Sequence, residues 1–134
     1  MIYNLVAFLR AAFPAEVIYC NTREATIGQE AVPDRCILVR EDGGGPGVWA
    51  KISIPTAQVI TRAMDSPSAR KMAYDIFEAI NSRFGLILPA ITVDSVLYPA
   101  IHTAQISAIQ RPYCLGKDDE SRTEYTNNYQ VYFK

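Results

Sequence analysis

Histidine occurs once in the chain, tryptophan once and cysteine three times, and each scarcity removes a class of chemistry. Cys20, Cys36 and Cys114 are an odd number at spacings that match no zinc motif, and His102 alone cannot complete a Cys/His metal site. Buried, reduced thiols in a reducing compartment are the expectation. There is no surplus of positive charge: 13 Lys and Arg face 14 Asp and Glu, for a net charge of -1. Such a balance offers no electrostatic footprint for a phosphate backbone. Nor does any apolar run approach the roughly 18 residues of a membrane span. The opening MIYNLVAFLRAAF is apolar, but no basic segment precedes it and Arg10 lies in its body, which argues against a secretory signal. A soluble product without membrane contact, made in the cytoplasm, is expected.

What is present suits one globular domain spanning residues 1–134, with 49% hydrophobic and 20% charged residues. Ile2, Leu5, Val6, Leu9 and Phe13 recur at helical spacing, predicting a first helix that stops near Pro14. EVIYCN (residues 16–21) reads as a short strand, then a polar loop through Asp34, then CILVRE (residues 36–41) as a second strand. The glycine-rich DGGGPG (residues 42–47) and the run VWAKISIPTAQVITRA, with Trp49, Ile52, Ile54, Val59 and Ile60, predict a third strand joined to the second by a hairpin. Pro55 cannot donate to a ladder, so an edge or a bulge is expected there. A second helix follows: Ser66 as N-cap, Pro67 at its first position, a stripe from Ala69 through Met72, Ala73, Ile76, Phe77 and Ile80 to Phe84, and Gly85 as its stop. Residues 86–88, 91–97, 103–110 and 122–133 read as further strands.

The last of these alternates with period two. Thr123, Tyr125, Asn127, Tyr129, Val131 and Phe133 share one face; Arg122, Glu124, Thr126, Asn128, Gln130 and Lys134 lie on the other, where Tyr132 breaks the polarity. It is a half-buried strand integral to the fold, and removal of residues 125–134 is expected to leave insoluble or unfolded protein. Strands without intervening helices pair mostly antiparallel. The architecture expected is therefore α+β: a two-layer sandwich of a mostly antiparallel sheet with two amphipathic helices on one face and the other face partly free.

Reactive constellations are sparse. The glycine loop lacks the Lys-Ser/Thr of a P-loop and opens a strand instead of a helix, so it reads as a hairpin tip. Asp118, Asp119 and Glu120 are consecutive and point apart, which suits a solvated turn better than a metal. His102 lacks any nucleophile elbow or local partner, and no catalytic, cofactor or metal residue is assigned. Eight tyrosines amid hydroxyl and amide side chains suit protein contacts, though rings that complete a core with wet hydroxyls would look the same.

Taken in order, the helix ending in FP, VIYCN, CILVRED followed by GGG, AQVITRAMDSPSARKMAYDIFEAI and the closing SRTEYTNNYQVYF resemble the small minor capsid and tail-completion proteins of tailed bacteriophages, the group that includes tail terminators. The likeness spans nearly the whole chain and is one of pattern, strongest over residues 58–80 and 122–133. It implies a non-enzymatic α+β virion subunit of the tail and neck that forms a homo-oligomeric ring, commonly a hexamer. Such a ring caps the tail tube, joins it to the head-completion or connector protein, and lets DNA pass through its lumen. A ring needs two different patches on each subunit. The contact elements expected are Asp42, Gly43, Gly44, Gly45 and Gly47 in one loop, Lys117, Asp118 and Asp119 in another, and the outward face of the last strand at Arg122, Glu124, Thr126, Asn128, Gln130 and Tyr132. Two alternatives stand beside this: a head-completion or neck adaptor ring, and a small α+β enzyme or ligand-binding domain using His102.

Overall fold

A computed structural model describes residues 1–23, 31–43 and 54–134. Helix α1 spans Ile2–Ala12 and buries Ile2, Leu5, Val6 and Leu9. It ends where Phe13, forced off helical geometry by the following Pro14, still donates its N–H to Leu9 O at 2.8 Å. Strands β1 (Ile18–Cys20), β2 (Cys36–Glu41) and β3 (Thr56–Ala63) follow. Helix α2 (Ser66–Ile80) is capped by Asp65, whose carboxylate accepts from Ser68 N–H at 2.7 Å and Ser68 Oγ at 2.9 Å. The cap is thus one residue earlier than Ser66, because a carboxylate accepts both bonds that the first turn offers. The helix also stops at Ile80 rather than running on to Phe84 and Gly85. Ser82, at φ 56, turns the chain out of the helix, and Gly85, at φ 64, serves the next turn.

The remainder is strand: β4 (Arg83–Phe84), β5 (Ile87–Leu88), β6 (Ile91–Val93), β7 (Val96–Tyr98), β8 (Ile101–Ala108), β9 (Tyr113–Lys117) and β10 (Thr123–Phe133). The main sheet runs β1-β2-β3-β10-β8-β4, with β5 also on β8 and β9 also on β10. β8 and β9 lie end to end along one side of β10. All pairings are antiparallel except β1 with β2. That pair is parallel because the 15 residues of its connection (21–35) are long enough for a crossover. β2 and β3 pair from Cys36↔Arg62 to Glu41↔Ala57, so they form the expected antiparallel pair. Trp49 and Ile52 lie outside the described residues. Pro55 precedes the ladder and contributes its carbonyl, which accepts from Val131 N at 3.1 Å.

Both helices cover one face of the sheet. Leu5 and Leu9 of α1 and Met72, Ile76 and Ile80 of α2 share one core with Ile37, Val39, Val59, Ile106, Tyr129 and Val131, and burial of each large side chain contributes about 1.5–3 kcal/mol. The fold is α+β, with helices packed against a largely antiparallel sheet. The opposite face is not bare: Tyr19, Cys36, Leu38 and Ile60 form a second, smaller cluster with Val17 and Val32.

One segment departs from the main sheet. Residues 91–97 do not make a single strand; they fold back at Asp94 (φ 49) and Ser95 (φ 65) into a hairpin with Val93 opposite Val96. Two central residues at positive φ make the turn whose twist matches paired strands. The β6–β7 hairpin is a separate two-stranded sheet, an arm that could not persist alone in water. Asn4, buried on α1, holds it by donating from Nδ2 to Pro89 O and Pro99 O, both at 2.9 Å, on the two sides of the arm's base. Tyr3 packs against Tyr98 with ring centroids 4.9 Å apart.

Candidate interaction surfaces

The β9–β10 turn is organised by charge. Asp118 accepts from Arg122 Nε at 2.8 Å and from the Glu120 and Arg122 N–H groups at 3.0 and 2.9 Å. Arg122 also reaches Asp34 at 3.2 Å and Glu120 at 3.3 Å. Arg62, only 4% exposed, donates to Asp34 O at 3.1 Å and Pro33 O at 2.7 Å and lies 3.8 Å from Asp118. Nearby, Glu124 pairs with Arg23 at 3.0 Å. The result is a clasp joining residues 33–34 to the turn. Desolvation alone would raise the Asp118 carboxyl, but the hydrogen bonds from Arg122 and Glu120 outweigh it and hold the group below its ordinary value. The same contest works on Arg122: desolvation pulls it down, and the Asp118 and Asp34 hydrogen bonds push it up by more. Asp118 is therefore not the solvated acid of a loose turn; Asp119 and Glu120 are the exposed ones.

Farther along β10, the face away from the helices is polar but largely occupied. Thr126 is fully buried and accepts from Gln58 Nε2 at 3.1 Å, while Gln58 Oε1 accepts from Arg40 Nε at 2.5 Å. Asn128, Gln130 and Tyr132 are half-buried, and Tyr132 Oη donates to Gln130 at 2.9 Å. On the helix face, Asn127 and Tyr129 are buried, and neither the Asn127 amide nor the Tyr129 hydroxyl has a hydrogen-bond partner among the described residues. Burial pushes the Tyr129 phenol well above its ordinary value, against a smaller opposing pull from Asn127. In the other expected loop, Asp42 is exposed and donates its N–H to Thr56 O at 3.0 Å, and Gly43 sits at φ 72 with open space around it. Gly44, Gly45 and Gly47 lie outside the described residues.

Exposed apolar side chains stand where the sequence pattern suggests core. Phe84 is 76% exposed on β4, Ile87 53% on β5, and Val96 and Leu97 53% and 66% on the arm. A second group, Ile109, Tyr113 and Leu115, lines β9 and the residues leading into it. Strand β9 pairs with β10 on one side only; no other described strand covers its outer edge. Arg111 and Lys117 flank it, both exposed and without an ion pair among the described residues, and Asp94 at the tip of the arm is likewise exposed and without one. The β1 edge differs: Arg10 donates to Ile18 O at 2.7 Å and Thr22 N–H to Cys20 O at 2.7 Å.

His102 is exposed on β8 and lines an open, largely apolar cleft of about 390 Å³ with Ala100, Ile101, Phe133 and Lys134. Those neighbours supply no carboxylate, hydroxyl or thiol side chain to pair with it; their one ionisable side chain is Lys134, itself a cation. Of the thiols only Cys36 is buried; Cys20 is half-buried, and Cys114 is exposed on β9 because that strand covers nothing. Burial pushes both Cys20 and Cys36 up. Among the described residues no three His, Cys, Asp or Glu side chains gather where a metal ion could sit, and no helix is long and apolar enough to cross a membrane. Neither a scan of protein-family models nor a search of curated proteins finds a match to the chain.

Proposed function

We propose that the chain is a structural subunit of a tailed-phage particle: a ring-forming tail terminator or tail-completion protein that caps the tail tube and meets the head connector. The observation that carries this reading is the presence of two unlike exposed apolar patches on separate elements, Val96 and Leu97 on the arm and Tyr113 and Leu115 on β9. Head-to-tail contact in a ring uses two different surfaces of each subunit, and the rotation between neighbours sets closure. Apolar surface gathered into a contiguous patch is a common mark of a contact site. The resemblance supplies the identity of the particle; the patches supply a physical means of assembly. In this role the protein acts by shape and contact and performs no reaction.

The test is negative-stain electron microscopy of the purified protein, alone and mixed with tail tubes from the same genome. Rings seated on tube ends, with tube growth stopped, are the expected outcome. Competent tubes that remain uncapped, with the protein copurifying instead with portal, would reject the tail-side role in favour of a head-side adaptor ring.

A further inference from the structure

We propose that the β6–β7 arm of one subunit docks along the β9 edge of a second copy of this chain. The inference rests on the ring reading above and names the two surfaces that would build the ring.

Three observations converge on this pairing. The first is a free edge: β9 pairs with β10 alone, no other described strand covers its outer side beside the exposed Tyr113 and Leu115, and the segments flanking its bulge at Leu115 can accept an added strand. The second is a projecting strand to fill it. β7 carries the two exposed apolar residues Val96 and Leu97, and β6–β7 belongs to no larger sheet. The third is charge. The arm carries Asp94 at its tip, and the β9 edge is flanked by Arg111 and Lys117, all three exposed and unpaired among the described residues. An acid-tipped apolar arm thus meets a cation-flanked apolar edge, a match of sign that favours correct docking.

The two surfaces cannot meet within one chain. The arm is rooted at Pro99, before β8, and β9 begins beyond its far end; the eight residues of β8 separate them by roughly 25 Å. Contact must therefore run between copies. Because the surfaces differ, each docked pair leaves one arm and one edge free, and the assembly propagates until it closes.

Cys114 makes the pairing testable with the protein's own chemistry, since it is exposed in the middle of β9. Leu97→Cys in the full chain, treated with a short thiol-to-thiol crosslinker at high protein concentration, should yield a ladder of covalent oligomers. Adding Cys114→Ser should abolish the ladder. Lys71→Cys, on the exposed face of α2, serves as a control and should yield none. Asp94→Lys should lower the crosslinking yield about tenfold, and adding Arg111→Glu and Lys117→Glu should restore it. Circular dichroism and the thermal transition of each variant establish that it is folded. Oligomers detected by light scattering, without a covalent link between the thiol introduced by Leu97→Cys and Cys114, would overturn the arm pairing and leave the ring reading intact. Absence of both oligomers and links, with tubes left uncapped, would overturn both.

Discussion

Asn4 is the residue on which the arm should depend, and its replacement by alanine tests this. The side chain is 1% exposed and donates two hydrogen bonds of 2.9 Å, to Pro89 O and Pro99 O. Each bond contributes a net of about 1 kcal/mol. Against this, Asn4 Oδ1 is buried without a partner among the described residues, and removal of such a group recovers on the order of 1 kcal/mol. The balance for Asn4→Ala is a loss of about 1–2 kcal/mol: the carbonyl of exposed Pro99 regains water once the amide is gone, while that of half-buried Pro89 is left less well satisfied and adds to the loss. In a chain of 134 residues that loss lowers the thermal midpoint by about 4–7 °C. The more specific signature is local. If Asn4 ties the arm to α1, amide hydrogens of β6 and β7 should exchange about 5- to 30-fold faster in the variant. Those of β2, β3 and the middle of β10 should change only as far as global stability falls. Native-state hydrogen exchange read by mass spectrometry separates the two. Arm amides that keep wild-type rates in a folded Asn4→Ala protein, while those of β2 and β3 quicken with the global loss, would refute the clamp and show that Asn4 serves α1 alone.

Two further predictions concern buried and charged groups. Tyr129 is 0% exposed and its hydroxyl has no partner among the described residues, so Tyr129→Phe should stabilise the protein by about 1 kcal/mol in urea denaturation; a less stable variant would mean that the neighbouring Asn127 amide or a bound water satisfies the hydroxyl. The Asp118 carboxyl titrates below its ordinary value in the folded chain, so its contribution is complete above the unfolded value of about 3.9 and is lost as pH falls through the folded value. Thermal scans from neutral to strongly acidic pH should accordingly show an acid-side decline that Asp118→Asn flattens, and identical slopes in the two proteins would refute that assignment.

The parts of the fold legible in the sequence are those in which local pattern and tertiary role coincide. CILVRE becomes β2 without a shift, and the alternation of residues 123–133 sorts Tyr129 and Val131 to the helix side and Gln58's partner Thr126 to the other. Where two residues satisfy the same local rule, the choice falls to geometry. Asp65 and Ser66 are both good caps, and the reach of Ser68 N–H decides for Asp65. The arm is hidden because its turn, Val-Asp-Ser-Val, contains no glycine, and positive φ at Asp94 and Ser95 leaves little trace in composition. β4 and β9 are hidden by their two and five residues, too few for a period to emerge. The contact surface suffers more. Leu97 and Phe84 fit strand or helix stripes and so read as core, and only the three-dimensional arrangement turns them outward. Conversely, Asp118, Arg122 and Glu124 look like free surface charges in the sequence. Yet Asp34 stands 88 positions from its partner Arg122, and Arg23 stands 101 positions from Glu124.

The unequal edges of the sheet bear on which assembly the chain avoids. An open strand invites pairing with its own copy, which would give a closed two-fold dimer and end assembly there. Along β9 such antiparallel pairing, centred on Cys114, brings the Arg111 end of each copy to the Lys117 end of the other, and the bulge at Leu115, with Gly116 at φ 107, bends the strand against it. Like charges directly opposite are destabilising, so the flanking cations that welcome an acid-tipped arm also repel a second β9. Pro112, lacking an N–H, adds a further obstacle at the strand's start. Arg111→Glu removes the repulsion and creates two opposite-charge pairs, each contributing roughly 0.2–1 kcal/mol. The variant should therefore form a two-fold dimer that air oxidation locks through Cys114, seen as a covalent dimer without higher oligomers. The wild-type chain under the same oxidation should form far less of it. Equal yields of Cys114-linked dimer from both proteins would mean that the cations do not guard this edge.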